Sequence, residues 1–320
     1  MLALALALAC SGSLAAGIGK AAPFDPGQAG FQVRYKDETS PYKMNAVFLM
    51  PGEVLRLEVP GEDTGAFSLE YVDGDAGVDT SWMISAQGPR SWWWHAPDSA
   101  GLYTLEVLRA GGDTVRFNAF VMVPSGEMKS GYLRGYHIGD YPPPIKKTEF
   151  YLAPKGFIKV DAEAAQAYVS PHFRLSQFIC KQAPDLPAFL VLRERLLLKL
   201  EILLAKANEA GFACSTFHVM SGYRTPFYNR LIGNVKLSAH QFGGAADIFI
   251  DNDPEDGNMD DLNGDGKSDQ GDADMLIALL DALSRNETFI PYLGGMGRYD
   301  KTPNHGPFVH VDVRGFRAFW

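Results

Sequence analysis

Three consecutive prolines, Pro142-Pro143-Pro144, close a Gly/Tyr/Pro-rich stretch from Ser125 to Thr148 that is too stiff for a regular helix or a central strand. The hydrophobic period differs on its two sides, which places a domain boundary there. Upstream, from Phe31 to Pro124, short alternating segments at 54–59, 67–71, 103–107 and 115–121 are punctuated by turn residues. Such spacing predicts an all-β sandwich. Trp92-Trp93-Trp94-His95 lies in this region, and its aromatic faces would suit a sugar ring. Alternate residues of a strand face opposite ways, however, so packing is the favoured reading. Downstream, Leu192, Leu196, Leu200 and Leu203 repeat at helical spacing in a helix expected over 187–210, with Gly211 at its end. Short strands are expected at 217–220, 246–250 and 308–313. Helices and strands mix without βαβ alternation, which predicts α+β for this half.

A chain of 320 residues, 46% apolar and 21% charged, has the composition of soluble globular protein and the length of two domains. Its net charge of -9 gives no electrostatic reason to bind nucleic acid. Residues 1–16 are an almost uninterrupted Leu/Ala run, as long as the apolar region of a signal peptide and too short to span a bilayer. Residues 1–22 are therefore expected to be an export signal and linker, although no Lys or Arg precedes the run. Two endings compete: a lipid anchor on Cys10 after Leu8-Ala9, and a small-residue site near Ala15-Ala16. Either places the protein in the periplasm or anchored to the outer membrane. Cys180 and Cys214 remain, and as an oxidising compartment permits pairing, a disulfide and two buried thiols stand as equal alternatives.

The chemistry-bearing residues lie in the second half. Ser238-Ala239-His240-Gln241-Phe242-Gly243-Gly244-Ala245-Ala246-Asp247 sets a histidine in a loop and an aspartate seven residues on, in a strand. Imidazole and carboxylate both suit zinc, and the Gly-Gly pair lets the backbone turn so that the two converge. A third ligand is His310 in Phe308-Val309-His310-Val311-Asp312-Val313-Arg314, where His310, Asp312 and Arg314 share one strand face. The set His240, Asp247 and His310 leaves a fourth position open, as catalytic zinc requires.

Together with Ser221-Gly222-Tyr223-Arg224, Phe173-Arg174-Leu175-Ser176-Gln177-Phe178 and Val309-His310-Val311-Asp312, this pattern resembles the M15 family of zinc D-Ala-D-Ala peptidases and related murein endopeptidases over 157–320. The block ending at Asp247 departs by one residue type, with Gly244 and Ala245 keeping the small-residue spacing. The resemblance implies zinc-dependent cleavage of D-amino-acid-containing peptides of peptidoglycan, with endopeptidase action on cross-links favoured over D,D-carboxypeptidase trimming. It also implies Arg224 as a residue that contacts substrate near the metal, with Tyr223 beside it, while Ser238 is expected either to bond substrate or to cap its own loop. Several relatives carry an acidic general base three residues before the last histidine, where this chain has Pro307. His305, in a flexible turn, and Asp312 are the candidates to replace it, His305 as base and Asp312 as a brace. A non-catalytic peptidoglycan-binding protein is the alternative from another class.

Two further resemblances complete the reading. Ala96-Pro97-Asp98-Ser99-Ala100-Gly101-Leu102-Tyr103 is similar to the corner before a late strand of immunoglobulin-like (Ig-like) domains. In 261–272, Asp261, Asn263, Asp265, Lys267 (through its carbonyl), Asp269 and Asp272 stand at the ligand positions of an EF-hand or dockerin-like calcium loop, with Gly266 at position six. A structural calcium ion and a helix over 273–283 are expected. The layout is thus an export signal (1–22), an Ig-like β-sandwich (30–125), a connector (126–148) and an α+β zinc peptidase domain with a small antiparallel sheet (149–320), interrupted by a calcium-loop insertion (251–272). Nothing in the sequence sets the oligomeric state.

Overall fold

Turn residues break the first region into nine strands among the described residues: β1 (Gln28–Tyr35), β2 (Glu38–Tyr42), β3 (Met44–Leu49), β4 (Val54–Glu58), β5 (Phe67–Tyr71), β6 (Ile84–Gly88), β7 (Ser91–His95), β8 (Gly101–Arg109) and β9 (Thr114–Val121). The computed structural model describes residues 24–61, 65–72, 83–144 and 148–320, so the export signal expected over 1–22, Cys10 included, lies outside the described residues. One sheet has the order β2-β1-β4-β7-β6 and the other β3-β9-β8-β5. Alternation sets their inner faces: Leu55 and Leu57 are buried on β4 while Val54 and Arg56 are exposed. Trp92 and Trp94 face inward and Trp93 outward, so packing takes two of the three indoles. The Tyr103 hydroxyl donates to the Ser99 carbonyl at 2.9 Å, tying the turn to the start of β8.

The second region contains β10 (Val123–Pro124), β11 (Tyr132–Leu133), β12 (Tyr136–His137), β13 (Gly156–Val160), α1 (Ala162–Gln166), β14 (Tyr168–Ser170), β15 (Phe173–Arg174), β16 (Ala188–Leu190), α2 (Glu194–Glu209), β17 (His218–Ser221), α3 (Pro226–Leu231), β18 (Ala245–Phe249), α4 (Gln270–Leu283), β19 (Gly295–Tyr299), β20 (Phe308–Asp312) and β21 (Ala318–Phe319). The chain is thus mostly β, with several sheets and a few helices. Helix α2 starts later than its leucine period implies, because 188–190 is taken by pairing with β13 and the Arg193 N–H bonds the Gly243 carbonyl. Leu196, Leu200 and Leu203 face the core as expected. The sheet that carries the site has the order β17-β18-β20-β19-β21, antiparallel except where β21 runs parallel to β19.

The connector is more than a linker. Leu133, Tyr136 and Ile138 are buried in the same core as α2, and Gln182 donates to the His137 carbonyl at 3.0 Å. Ala46, Phe48 and Phe120 of the sandwich join that core too. Ion pairs Lys36–Glu194 at 2.7 Å and Arg195–Glu38 at 2.6 Å tie the sandwich to the first turn of α2. Cys180 and Cys214 are both buried and free, so the disulfide alternative is not met. Among the described residues no helix is long and apolar enough to cross a membrane.

Candidate metal centre

Register builds the site. Asp247 on β18 lies directly opposite His310 on β20, with Ser221 of β17 beyond Asp247 and Gly297 of β19 beyond His310. A one-residue slip of either strand would turn Asp247 and His310 to opposite faces. His240 comes from the 3-10 turn 239–242, which Gly243 ends in the left-handed conformation (φ 65°). A Cβ there would lie 2.4 Å from the Val191 carbonyl oxygen, so this close turn requires glycine.

Three donor atoms converge: His240 Nε2, Asp247 Oδ1 and His310 Nδ1 are 3.2, 2.9 and 3.1 Å apart as pairs. A tetrahedral ion with ligands at about 2.0–2.1 Å would set such atoms about 3.3 Å apart. The rest of each ring is held by an acceptor. His240 Nδ1 is 2.7 Å from the Gly222 carbonyl, so it donates and leaves the Nε2 lone pair facing the cluster. His310 Nε2 is 3.2 Å from Asp312 Oδ2 and its Nδ1 2.9 Å from Asp247 Oδ1, so the ring can donate to both carboxylates, and donating through Nε2 alone frees Nδ1 for a ligand. Two imidazole nitrogens and a carboxylate oxygen thus face one point, a set able to hold a cation once His310 gives up its Nδ1 proton. Among the described residues this is the only group of three or more metal-binding side chains so gathered.

The cluster is held together by its own charges. Burial alone would raise the Asp247 carboxyl, but His240, His310 and Arg224 hold it well below the usual carboxylate range. Burial leaves His240 below its ordinary value, whereas hydrogen bonds to Asp247 and Asp312 outweigh burial at His310 and raise it. Asp312 is braced from several sides: Gly295 N–H donates at 2.7 Å and Arg314 Nε at 2.8 Å. It therefore orients His310 and is not free to take a proton in the cavity.

The Ser-Gly-Tyr-Arg segment divides its work. Arg224 donates to Asp247 Oδ2 and, through Nε, to Ser221 Oγ at 2.8 Å, and it also reaches the cavity beside the cluster. Gly222 presses on Phe178, where a Cβ would lie 2.6 Å from its Cα, and supplies the carbonyl for His240. Tyr223 corrects the expectation of substrate contact. Its ring is buried and its hydroxyl meets that of Tyr141 at 2.8 Å, because the connector fills the space behind it. Ser238 lines the cavity, and its side chain does not cap the following turn.

His305 is the expected residue that the structure does not bring to the cluster. The cavity at the three donors, about 510 Å³, is lined on one side by the stacked rings of Tyr299 and Phe308, 4.5 Å apart. His305 lines a separate cavity beside the acidic insertion, with Nδ1 2.8 Å from the Gly306 carbonyl. The 302–305 turn closes on itself through Thr302–His305 backbone bonds, and the His305 ring packs edge-on against Phe308 at 5.0 Å, on the side away from the cluster's cavity. In the insertion, the side-chain oxygens accept from backbone N–H groups: Asp261 from Gly264 and Gly266, Asn263 from Asp265, Asp265 from Lys267, Asp269 from Gly271, and Asp272 from Leu262 and Asp269. Gly266 has φ 82°, as its loop position demands, but no three of the loop's carboxylates gather as His240, Asp247 and His310 do. The helix expected after the loop is α4, which begins three residues earlier with Asp269 as its cap.

Sequence reasoning missed one wall. Trp320 lies 5.3 Å from the His310 ring, donates to the Tyr299 hydroxyl at 2.6 Å and stacks with Arg314. The alternation Gly295-Met296-Gly297 was the available signal, since a Cβ on Gly297 would lie 2.5 Å from Trp320 Nε1.

No protein-family model matches this sequence. No curated protein matches it either. Among solved structures, the titin M3 domain is 14% identical with a TM-score of 0.19, covering 28% of this chain and 97% of that one. The titin M1 domain is 16% identical with a TM-score of 0.18, covering 24% of this chain and 87% of that one. Scores this low carry no argument.

Proposed function

We propose that the chain is an exported zinc peptidase that hydrolyses D-amino-acid-containing cross-links of bacterial peptidoglycan, built as an Ig-like sandwich beside an M15-like body. The observation that carries this reading is the triangle of potential ligand atoms from His240, Asp247 and His310, each ring held from behind by an oxygen acceptor. Zinc bound there supplies Lewis acidity that polarises an amide carbonyl and makes water a nucleophile near neutral pH. The side chains do the rest. Asp312 keeps the proton on His310 Nε2, Arg224 fixes Asp247 through its second oxygen, and Arg224 and Ser238 present donors to a substrate carboxylate or developing negative charge. A calcium ion in the 261–272 loop would pin the insertion beside the site.

One observation favours a second reading, a peptidoglycan-binding protein without catalysis. Among the described residues the cavity holds no carboxylate or imidazole outside the cluster itself, Pro307 stands at the family's base position, and Asp312 is fully engaged. Digestion of purified sacculi with zinc-loaded protein, with products identified by mass, separates the cases. Loss of cross-linked dimers supports the endopeptidase, and release of free D-alanine alone supports the carboxypeptidase. Zinc-dependent binding with no product would establish the second reading, while neither binding nor product would end both.

A further inference from the structure

Helix α2 is apolar over Leu196, Leu197, Leu198, Leu200, Leu203 and Leu204, yet Lys199 sits among them with 1% of its surface exposed. A leucine or methionine would pack there without the cost of desolvating an ammonium group. Burial shows that cost, pushing the Lys199 amine down to about 8. Its one hydrogen bond among the described residues runs from Nζ to the main-chain carbonyl of Asp312, at 2.7 Å. That residue is the brace of His310. The same carbonyl is closely backed by Gly294, where a Cβ would lie 1.8 Å away, so it is pinned from two sides at the end of β20.

We infer that Lys199 is a positioning residue of the metal centre, holding the Asp312 main chain so that its carboxylate meets His310 Nε2. This inference rests on the reading that His240, Asp247 and His310 hold a metal. The path is short: Lys199 fixes the Asp312 carbonyl, the Asp312 carboxylate fixes the His310 ring, and the ring aims Nδ1 at the cluster. A carboxylate displaced by a few tenths of an ångström loses a bond that is already 3.2 Å long, and a ligand ring without its partner binds metal about 10- to 100-fold more weakly.

The test is the zinc dissociation constant of the full chain, read by competition with a chromophoric chelator, together with the melting temperature of the metal-free protein. Lys199→Met should weaken zinc binding about tenfold or more, and Lys199→Arg, which restores a donor, should recover most of it. A Lys199→Met protein that melts lower but binds zinc as the wild type does would make the lysine merely structural and overturn the inference. So would a Lys199→Arg protein no better than Lys199→Met. Should Lys199→Met fail to fold, Lys199→Gln, too short to reach the carbonyl, is read the same way. A wild type that does not bind zinc removes the proposed function and the inference together, whereas a zinc-binding wild type with an unaffected Lys199→Met variant removes the inference alone.

Discussion

Replacing His310 with alanine takes away one of three converging donors and leaves Asp312 without the ring it orients. The variant also opens a buried space, so its absolute stability is a poor measure. The informative quantity is the difference that zinc makes within each protein. A ligand bound only by the folded state, at a thousand times its dissociation constant, stabilises by about 4.1 kcal/mol. Unfolding entropy near the midpoint is about 2.1 cal/mol/K per residue. Over 320 residues melting as a unit this amounts to ~0.67 kcal/mol/K, so zinc should raise the wild-type melting temperature by about 6 °C. The shift would be about twice that if only the metal-bearing half responds. With two donors left, His310→Ala should shift by less than about 1 °C at the same zinc concentration. Differential scanning calorimetry with parallel metal analysis reads both. His305→Ala is the control: because His305 lines a different cavity, that variant should keep its zinc, its full shift and its activity. Unchanged zinc content and an unchanged shift in His310→Ala would refute the assignment of the ligands.

Calcium should raise the melting temperature by mass action, and Asp265→Ala should abolish that response; a melt indifferent to calcium and chelator leaves the loop a solvated acidic turn. A fragment starting near residue 148 should be insoluble or melt far below one starting near 126, since Leu133, Tyr136 and Ile138 are each worth about 1.5–3 kcal/mol when buried, and equal melting of the two fragments would contradict this. His172 bridges Glu201 Oε2 at 2.7 Å and the Asp25 carbonyl at 3.0 Å, two acceptors that only the doubly protonated ring can serve. Burial lowers its pKa, but the hydrogen bond and charge of Glu201 raise it further, so the folded value lies above the unfolded one. Its stabilisation is complete below pH ~6.5 and lost as pH rises through the folded value, a slope that His172→Gln should remove from a stability-against-pH curve.

What the sequence made legible follows from how local each signal is. The alternation at 54–59 and 115–121 reports a strand with one buried face, and β4 and β9 lie there. His240 and Asp247 are joined by a seven-residue step whose glycines dictate the turn, and His310 sits on a strand whose parity fixes its face. Tyr223 and His305 failed for the opposite reason. Whether Tyr223 meets substrate or core depends on Tyr141, 82 residues away, and whether His305 reaches the cluster depends on which side of Phe308 its turn packs. The connector's prolines said correctly that it forms no long element, but its buried side chains are set by a core that only tertiary contact defines.

The charges of α2 tie these observations into one physical picture. Glu194 and Arg195 face the sandwich, where they meet Lys36 and Glu38. One turn on, Lys199 reaches Asp312, and Glu201 takes Ser170 at 2.6 Å and His172. Among the described residues no side chain of the sandwich lines the cavity at the His240–Asp247–His310 cluster, and the sandwich meets the second region both through α2 and, by the bond from Asn118 to the Tyr168 carbonyl, through β14. Its ion pairs are partly exposed and therefore worth little individually. The larger contribution is the apolar contact of Ala46, Phe48 and Phe120 with the second core. Substituting those three residues should therefore perturb the placement of α2, and with it the His240–Asp247–His310 cluster, far more than neutralising Glu38 would.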